Sequence, residues 1–304
     1  MRPTLRQLEY IVAVADAGRI GSAAKLLHVS QPSLSAQISE VEADLGVTLF
    51  ARSRSGAKVT PEAEEVVRRA RMLLRDHEDL RSLTKSAGLF KGRLRLGVLP
   101  SVGPYLLPEV ARRLHIQHPG IRLVVREETT RDLEEGLRSG RLDMIISTPE
   151  DHPNNSYRLL FTERFWAATA LDHPLASTSE PAKFTDLEGQ LLLTLGAQHR
   201  LSHIVMQIAH RSKAQVSDEY EGTSLDAIRL MAATGAGIAL LPEIYARTEA
   251  RRGTDVALRY LAEPEATRKI ALMYPHAGAG RPGGTALEEI LLDVSKRLTD
   301  HKTD

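Results

Sequence analysis

Gln31, Pro32, Ser33 and Ser35 open a stretch in which Leu34, Ile38, Val41 and Leu45 recur at helical spacing. The face opposite that stripe holds Pro32, Ser33, Ala36 and Ser39, all small or uncharged. A helix entering the major groove of DNA needs such a face, because its backbone must come close to base edges. A capped surface helix explains the same pattern, so the helix alone leaves both readings open. Downstream, Val47–Phe50 and Ala57–Thr60 read as two short strands around Arg52-Ser53-Arg54-Ser55-Gly56. Arginines at the tip of such a hairpin can grip phosphates beside a groove. The alternative is a solvated basic hairpin. Its place directly after the candidate helix tips the balance toward DNA.

A second set of residues lies in the C-terminal two-thirds. Ser101-Val102, Thr129-Thr130 and Gln198-His199-Arg200 follow expected strands, and Thr223-Ser224 precedes an expected helix. Ligands in open α/β sheets sit at the carboxyl ends of strands. Ser101, Thr130 and Thr223 fall near helix N-termini, where hydroxyls and free N–H groups can hold an anion. Each of them singly is better read as an N-cap, worth about 1 kcal/mol of stability. Convergence of four segments on one cleft is the argument for a site. His199, His203 and His210 could share a helical face, but no cysteine and no obvious carboxylate completes a metal set. The pairs Glu127-Glu128 and Glu134-Glu135 read as solvated faces, and no Gly-x-Ser-x-Gly elbow is present. The glycines at 278, 280, 283 and 284 lack the residues of a phosphate loop. No nucleophile, base and orienter form a set, so neither an enzyme nor a cofactor nor a metal is expected.

The elements that position these residues are legible from periodicity. The chain has 304 residues, more than one compact domain usually holds. Its 42% hydrophobic content suits a globular protein, and with no cysteine it can form no disulfide or thiolate site. The first residues lack the apolar core of a signal peptide and no apolar run could span a bilayer, which suggests a cytoplasmic protein. Up to residue 91 the chain carries 14 Lys and Arg against 11 Asp and Glu, although the whole has a net charge of only +1. Near the N-terminus, Leu5, Leu8, Val12 and Ala15 mark a helix from a Thr4 cap to Gly18. Ser22 to Leu27 fits a second helix, and the third ends at Gly46. From Pro61 to about Ser86 there is no glycine, and Val66, Ala70, Leu73, Leu80 and Leu83 recur at steps of three and four. That helix would be nearly 40 Å long. It suits pairing with a second copy better than burial on one small domain. Gly88 and Gly92 bracket a hinge.

Beyond Gly92 strands alternate with helices, as in a parallel α/β sheet. Arg93–Val98, Ile121–Val125, Asp143–Ile146, Arg164–Thr169, Leu191–Leu195, Ile238–Leu241 and Lys269–Tyr274 fit strands, and Gly284–Leu298 fits a last helix.

The order of residues in the first sixty positions closely resembles the LysR-family signature. It is carried by Leu8-Glu-Tyr10, Ala23-Ala24-Lys-Leu-Leu27, Val29-Ser-Gln-Pro-Ser-Leu-Ser35, Ile38, Glu42, Leu45-Gly46, Leu49-Phe50, Arg52 and Thr60. Two departures are Ile20-Gly21-Ser22 before the paired alanines and Pro61-Glu62-Ala63 where the family usually has an early glycine. Weaker echoes of the family's effector domain are Leu96-Gly-Val-Leu-Pro100, Gly140-Arg-Leu-Asp143, His173-Pro174-Leu175 and Ala232-Ala-Thr-Gly-Ala-Gly-Ile238. The resemblance implies a winged helix-turn-helix over 1–60, a linker and dimerisation helix with hinge over 61–91, and an effector domain over 92–304. That domain would resemble periplasmic solute-binding proteins, with one subdomain from 92–162 and 267–304 and the other from 163–266. It further implies a dimer of dimers on promoter DNA, with RNA polymerase as a further partner. Gln31, Pro32, Ser33 and Ser35 would then enter the major groove, and Arg52 and Arg54 would touch phosphate or the adjoining minor groove. A solute-binding or carrier protein would leave residues 1–90 without a use, and an α/β enzyme would need a nucleophile, base and orienter that are not legible.

Within the family the chain looks like the peroxide-sensing OxyR branch over 99–108, 192–201 and 223–229. That branch has its reactive cysteine directly after the matching histidine, where this chain has Arg200. With no thiol anywhere, peroxide sensing by cysteine is chemically impossible. A guanidinium in that place suggests a small carboxylate or other anion as effector. Arg200 would hold it, with Ser101 and Thr130 donating hydrogen bonds and Val102, His199 and Thr223 nearby.

Overall fold

A computed structural model describes residues 3–53, 56–83, 92–275 and 284–299. Three helices open the chain: α1 (Leu5–Ala17), α2 (Ile20–Leu26) and α3 (Gln31–Leu45). Thr4 and Gln7 close a reciprocal capping box at the start of α1, with Thr4 Oγ1 accepting from the Gln7 N–H at 3.2 Å. Gly18 and Gly46 end α1 and α3 with φ of 63° and 67°, a left-handed conformation that glycine adopts without a Cβ clash. The buried stripe of α1 is Leu8, Ile11 and Val14, rotated from the expected one, and Leu5 is exposed. It faces Leu34, Ile38 and Val41 of α3, all fully buried.

The hairpin comprises β1 (Phe50–Ser53) and β2 (Gly56–Val59), antiparallel with Phe50 opposite Val59. It starts three residues later than the expected Val47. The reason is Glu42 of α3, whose carboxylate accepts the N–H groups of Leu49 and Phe50 at 2.7 and 3.2 Å. A side chain therefore serves these donors where the strand begins.

Residues Pro61–Ala63 form a short 3-10 turn that leads into α4 (Glu64–Leu83). The expected continuation through Ser86 and the Gly88 end of the hinge lie outside the described residues. One face of α4 buries Val67 and Ala70 against α1, together with Arg68, Arg71 and Arg75. Leu73 and Leu80, at 53% and 61% exposure, lie on the open side.

The larger domain contains β3 (Gly92–Val98), α5 (Gly103–Gln117), β4 (Ile121–Glu127), α6 (Thr130–Arg138), β5 (Met144–Ser147) and β6 (Ser156–Thr169). It continues with β7 (Leu191–Leu193), α7 (Arg200–Ser212), β8 (Gln215–Val216), α8 (Leu225–Ala233), β9 (Ile238–Pro242) and α9 (Glu243–Thr248). It closes with β10 (Ala257–Tyr260), β11 (Thr267–Tyr274) and α10 (Gly284–Thr299). The strands run in the order β4-β3-β5-β11-β6-β9-β7-β8, with β10 paired to β6. Pairs among β3, β4 and β5 and among β7, β8 and β9 are parallel, whereas β11 and β6 run antiparallel to their neighbours.

The long strand β6 belongs to both lobes. Its residues 156–164 pair with β11, and Phe165–Ala168 pair with β9. One buried core gathers around β3, α5 and α10, the other around β9, α7 and α8. At the crossing, Arg268 of β11 and Glu163 of β6 form a buried pair at 2.7 Å. Arg268 Nη1 also donates to Ser101 Oγ at 2.9 Å.

Candidate functional site

The DNA-facing surface is built on the first turn of α3. Ser30 caps it by accepting the Ser33 N–H at 3.2 Å, and Pro32 occupies the first turn, where a missing N–H goes unnoticed. Gln31, Pro32 and Ser33 are exposed and Ser35 is half-buried. Arg52 of β1 lies across this helix, donating from Nη1 to Ser35 Oγ at 2.9 Å and from Nη2 to Ser39 Oγ at 3.2 Å. It also stands 3.6 Å from the Glu42 carboxylate. The wing is thus fastened to α3 through this guanidinium as well as through the Glu42 carboxylate that accepts the Phe50 N–H. Arg54 lies outside the described residues.

The second site is a cleft of about 560 Å³ lined by residues of both lobes. Thr130, Arg131 and Glu134 come from α6, Asp151 from the turn after β5, and Gln198, Arg200 and His203 from the start of α7 and the loop before it. Thr130 and Arg200 are the first residues of their helices, so two N-termini meet here beside the guanidinium of Arg200, with Arg131 and Arg138 also on the lining. The caps sit beside the hydroxyls singled out by sequence. Thr129, not Thr130, accepts the Asp132 N–H, and Ser224, not Thr223, accepts the Ala227 N–H. Thr130 Oγ1 is left buried with no hydrogen-bond partner.

Of the six residues expected around an effector, Thr130 and Arg200 line this cleft together. Ser101 is buried and engaged by Arg268, and Val102 is fully buried in the first lobe's core. Thr223 is exposed ahead of α8. His199 is buried, and its Nε2 makes no hydrogen bond. Burial pushes its pKa down, favouring the neutral imidazole.

Asp151 escaped the sequence reading. Its Oδ2 stands 3.0 Å from Arg200 Nε. It follows the third strand of the first lobe, and the strand-end rule that selected the other segments would have found it there. Glu134, expected as a solvated carboxylate, instead holds the buried His152 and accepts from Asn155 Nδ2 at 3.2 Å. Among the described residues no three metal-ligating side chains cluster, and no helix is long and apolar enough to cross a membrane.

Comparison with known proteins agrees with this architecture. Residues 5–64 match the family described as bacterial regulatory helix-turn-helix protein, lysR family, and residues 87–296 match the LysR substrate binding domain. The DNA-binding transcriptional dual regulator OxyR of Escherichia coli K12 is 34% identical over 299 residues, covering 98% of this chain and 96% of the relative. A probable hydrogen peroxide-inducible genes activator of Streptomyces viridosporus is 33% identical, covering 98% and 97%. Among solved structures, a full-length OxyR variant from Pseudomonas aeruginosa superposes with a TM-score of 0.68 at 28% identity, covering 97% of this chain and 98% of that one. These relatives are regulators by name, and their similarity runs through both domains. The chain belongs to the LysR family of DNA-binding transcriptional regulators, with a C-terminal effector-binding domain, and stands close to the OxyR branch without the redox-active cysteines that OxyR uses.

Proposed function

We propose that this regulator works in the cytoplasm as a dimer of dimers on paired promoter half-sites, and that it answers to a small anionic effector, not to peroxide. In this reading Gln31, Pro32, Ser33 and Ser35 enter the major groove, while Arg52 and Arg54 meet the backbone beside it. The observation that carries it is the exposed, uncharged first turn of α3 with Arg52 held against it. Direct readout adds sequence preference there, and the arginines add affinity and salt dependence. The exposed Leu73 and Leu80 on α4 support pairing of that helix with a second copy. The division at residues 60 and 91, with lobes of 92–162 plus 267–304 and of 163–266, is the organisation this reading uses.

The effector would bind where α6 and α7 begin, with Arg200 as its cation and Thr130 as a hydroxyl donor. In this reading Ser101, Val102, His199 and Thr223 would belong to the wider effector site. Ligand then biases the angle between subunits, which requires different affinities for two quaternary states. RNA polymerase would read the resulting promoter geometry.

A gel shift with the promoter region beside its own gene tests the DNA half. We expect a specific shift that Ser33→Glu abolishes without unfolding the protein, because Ser33 is exposed. Absence of any specific binding by the wild type would overturn the reading. For the effector half, loss of small-anion binding in Arg200→Ala is expected, and unchanged binding would remove Arg200 from the site.

A further inference from the structure

Arg200 is already engaged inside the cleft, and its partner is a poor fit. Asp151 Oδ2 lies 3.0 Å from Arg200 Nε, with the two side chains 16% and 23% exposed. Despite that distance, neither atom makes a hydrogen bond, so the N–H does not point at the carboxylate. Strong arginine–carboxylate pairs are aligned and two-pronged. This protein makes them elsewhere: Arg112 reaches both Glu109 oxygens from Nε and Nη2 at 2.8 Å each. Asp151 makes no such pair, and its backbone is held in place. It ends a 3-10 turn over Pro149–Asp151, with its N–H donating to Thr148 O at 3.1 Å. The residues either side are tied down as well, Glu150 beside Lys269 at 3.4 Å and His152 between Glu134 and Ser147. Burial pushes the Asp151 carboxyl up from its usual range, against the pull of Arg200 and His203. Thr130 Oγ1, on the same cleft, is buried and unserved.

We propose that Asp151 is a built-in competitor for the anion-binding group of Arg200, displaced when a free carboxylate takes its place. The proposal rests on the reading of Arg200 as the effector's cation. A free carboxylate can align with the guanidinium edge and accept from Thr130, which the tethered one does not. Asp151 then faces a like charge and must withdraw, and since it stands on one lobe and Arg200 on the other, the exchange alters how the lobes hold each other. Asp151 also sets a threshold: an effector must bind better than a carboxylate that is always present. Carboxylates with further contacts pass that test, and simple inorganic anions do not.

Acetate, the carboxylate group of the aspartate side chain itself, is the probe. Its binding to the full-length protein is followed by thermal stabilisation and by saturation-transfer NMR, against sodium chloride at matched ionic strength. Wild type, Asp151→Asn, Arg200→Gln and the double variant are compared, with Asp151→Ser as a second replacement should Asn impair folding. Asp151→Asn should bind acetate about tenfold or more tightly than wild type, and adding Arg200→Gln should erase the gain. If Asp151→Asn binds acetate no better than wild type while Arg200→Gln weakens both, the anion site stands and the competitor does not. If Arg200→Gln changes nothing in either background, the reading of Arg200 fails and the proposal with it. A gain that survives in the double variant also overturns the proposal.

Discussion

Arg75 of α4 donates from Nη1 to Asp143 Oδ1 at 2.7 Å, and the two side chains are only 10% and 2% exposed. The pair joins the helix that follows the DNA-binding domain to the strand β5 edge of the effector domain. Asp143 Oδ2 also accepts the Arg95 N–H at 2.9 Å, so one carboxylate serves the joint and the sheet. The seam continues along α4. Arg71 donates to Ser139 O at 2.7 Å and pairs with Asp16 of α1, and Arg138 pairs with Glu64. Gly140 has φ of 71° and sits so close that a Cβ would lie 3.0 Å from Arg68 Cγ. Breaking a buried ion pair by removing one partner costs about 3–5 kcal/mol, because the other charge is stranded. We expect Arg75→Met to destabilise by about that amount. Adding Asp143→Asn should restore part of it, since the stranded charge disappears while an acceptor for Arg95 remains. Urea unfolding of the wild type, both single variants and the double variant measures this, and strictly additive effects would show that the pair is not coupled.

The pair Glu163–Arg268 makes a sharper case, with side chains 2% and 1% exposed. Burial already pushes the Glu163 carboxyl up, opposed by Arg268 and by the Ile244 N–H that donates to it at 2.8 Å. Arg268→Met should cost about 3–5 kcal/mol near neutral pH. The sign of its pH dependence follows from linkage. A carboxyl whose folded pKa lies above its unfolded value binds more protons when folded, so stability falls as pH rises through that window. The deficit of Arg268→Met should therefore shrink as the pH is lowered and Glu163 becomes neutral. A deficit independent of pH would mean that Glu163 has the same protonation state in both proteins throughout, and that Arg268 does not control its titration.

Much of this was readable in the sequence, and the misses have physical causes. Helix ends were legible because caps are local: Thr4, Gly18 and Gly46 act within four residues of their targets. The strand segments were legible because β3 alternates with period two and β5 is a short apolar run. The burial faces of α1 and α4 were not, because each packs against more than one neighbour. Arg68, Arg71 and Arg75 are buried through partners as far away as Asp143, which spacing on one helix cannot reveal. The same limit applies to the cleft. Thr130 and Arg200 were found by their place at strand ends, but Ser101 follows that rule equally well and is taken by Arg268, distant in sequence. Asp151 satisfies the same rule after β5 and was passed over because a lone aspartate in a turn carries no further pattern.

Arg52 separates two contributions to DNA binding. Its guanidinium holds Ser35 and Ser39 at once. A lysine has one compact ammonium and cannot reproduce that fork. We expect Arg52→Ala to weaken all DNA binding and to reduce the salt slope by about 1, as loss of one phosphate contact would. Arg52→Lys should keep the slope yet lower the ratio of specific to non-specific affinity, because Ser35 loses its fixed orientation. Titrations of operator and random duplex across a salt series measure both. If Arg52→Lys behaves as wild type in both respects, the bridge to the serines has no part in recognition.

His199 should leave a signature in the pH dependence of stability. It is buried, its Nε2 has no partner, and burial pushes its pKa below the ordinary value of 6.5. In the unfolded chain the imidazole takes up a proton near that ordinary value, whereas the folded protein holds it neutral to lower pH. Between the two pKa values the unfolded state binds more protons, so stability rises with pH in that window. The contribution is complete above pH 6.5 and is lost as the pH falls toward the folded value. Its slope is about 1.4 kcal/mol per pH unit at most. His199→Asn cannot titrate, and every other group is common to both proteins. The stability difference between wild type and His199→Asn should therefore shift in favour of the variant between about pH 7.5 and pH 5.5. Parallel curves across that range would show that His199 titrates alike folded and unfolded, and would remove the neutral imidazole from beside the cleft.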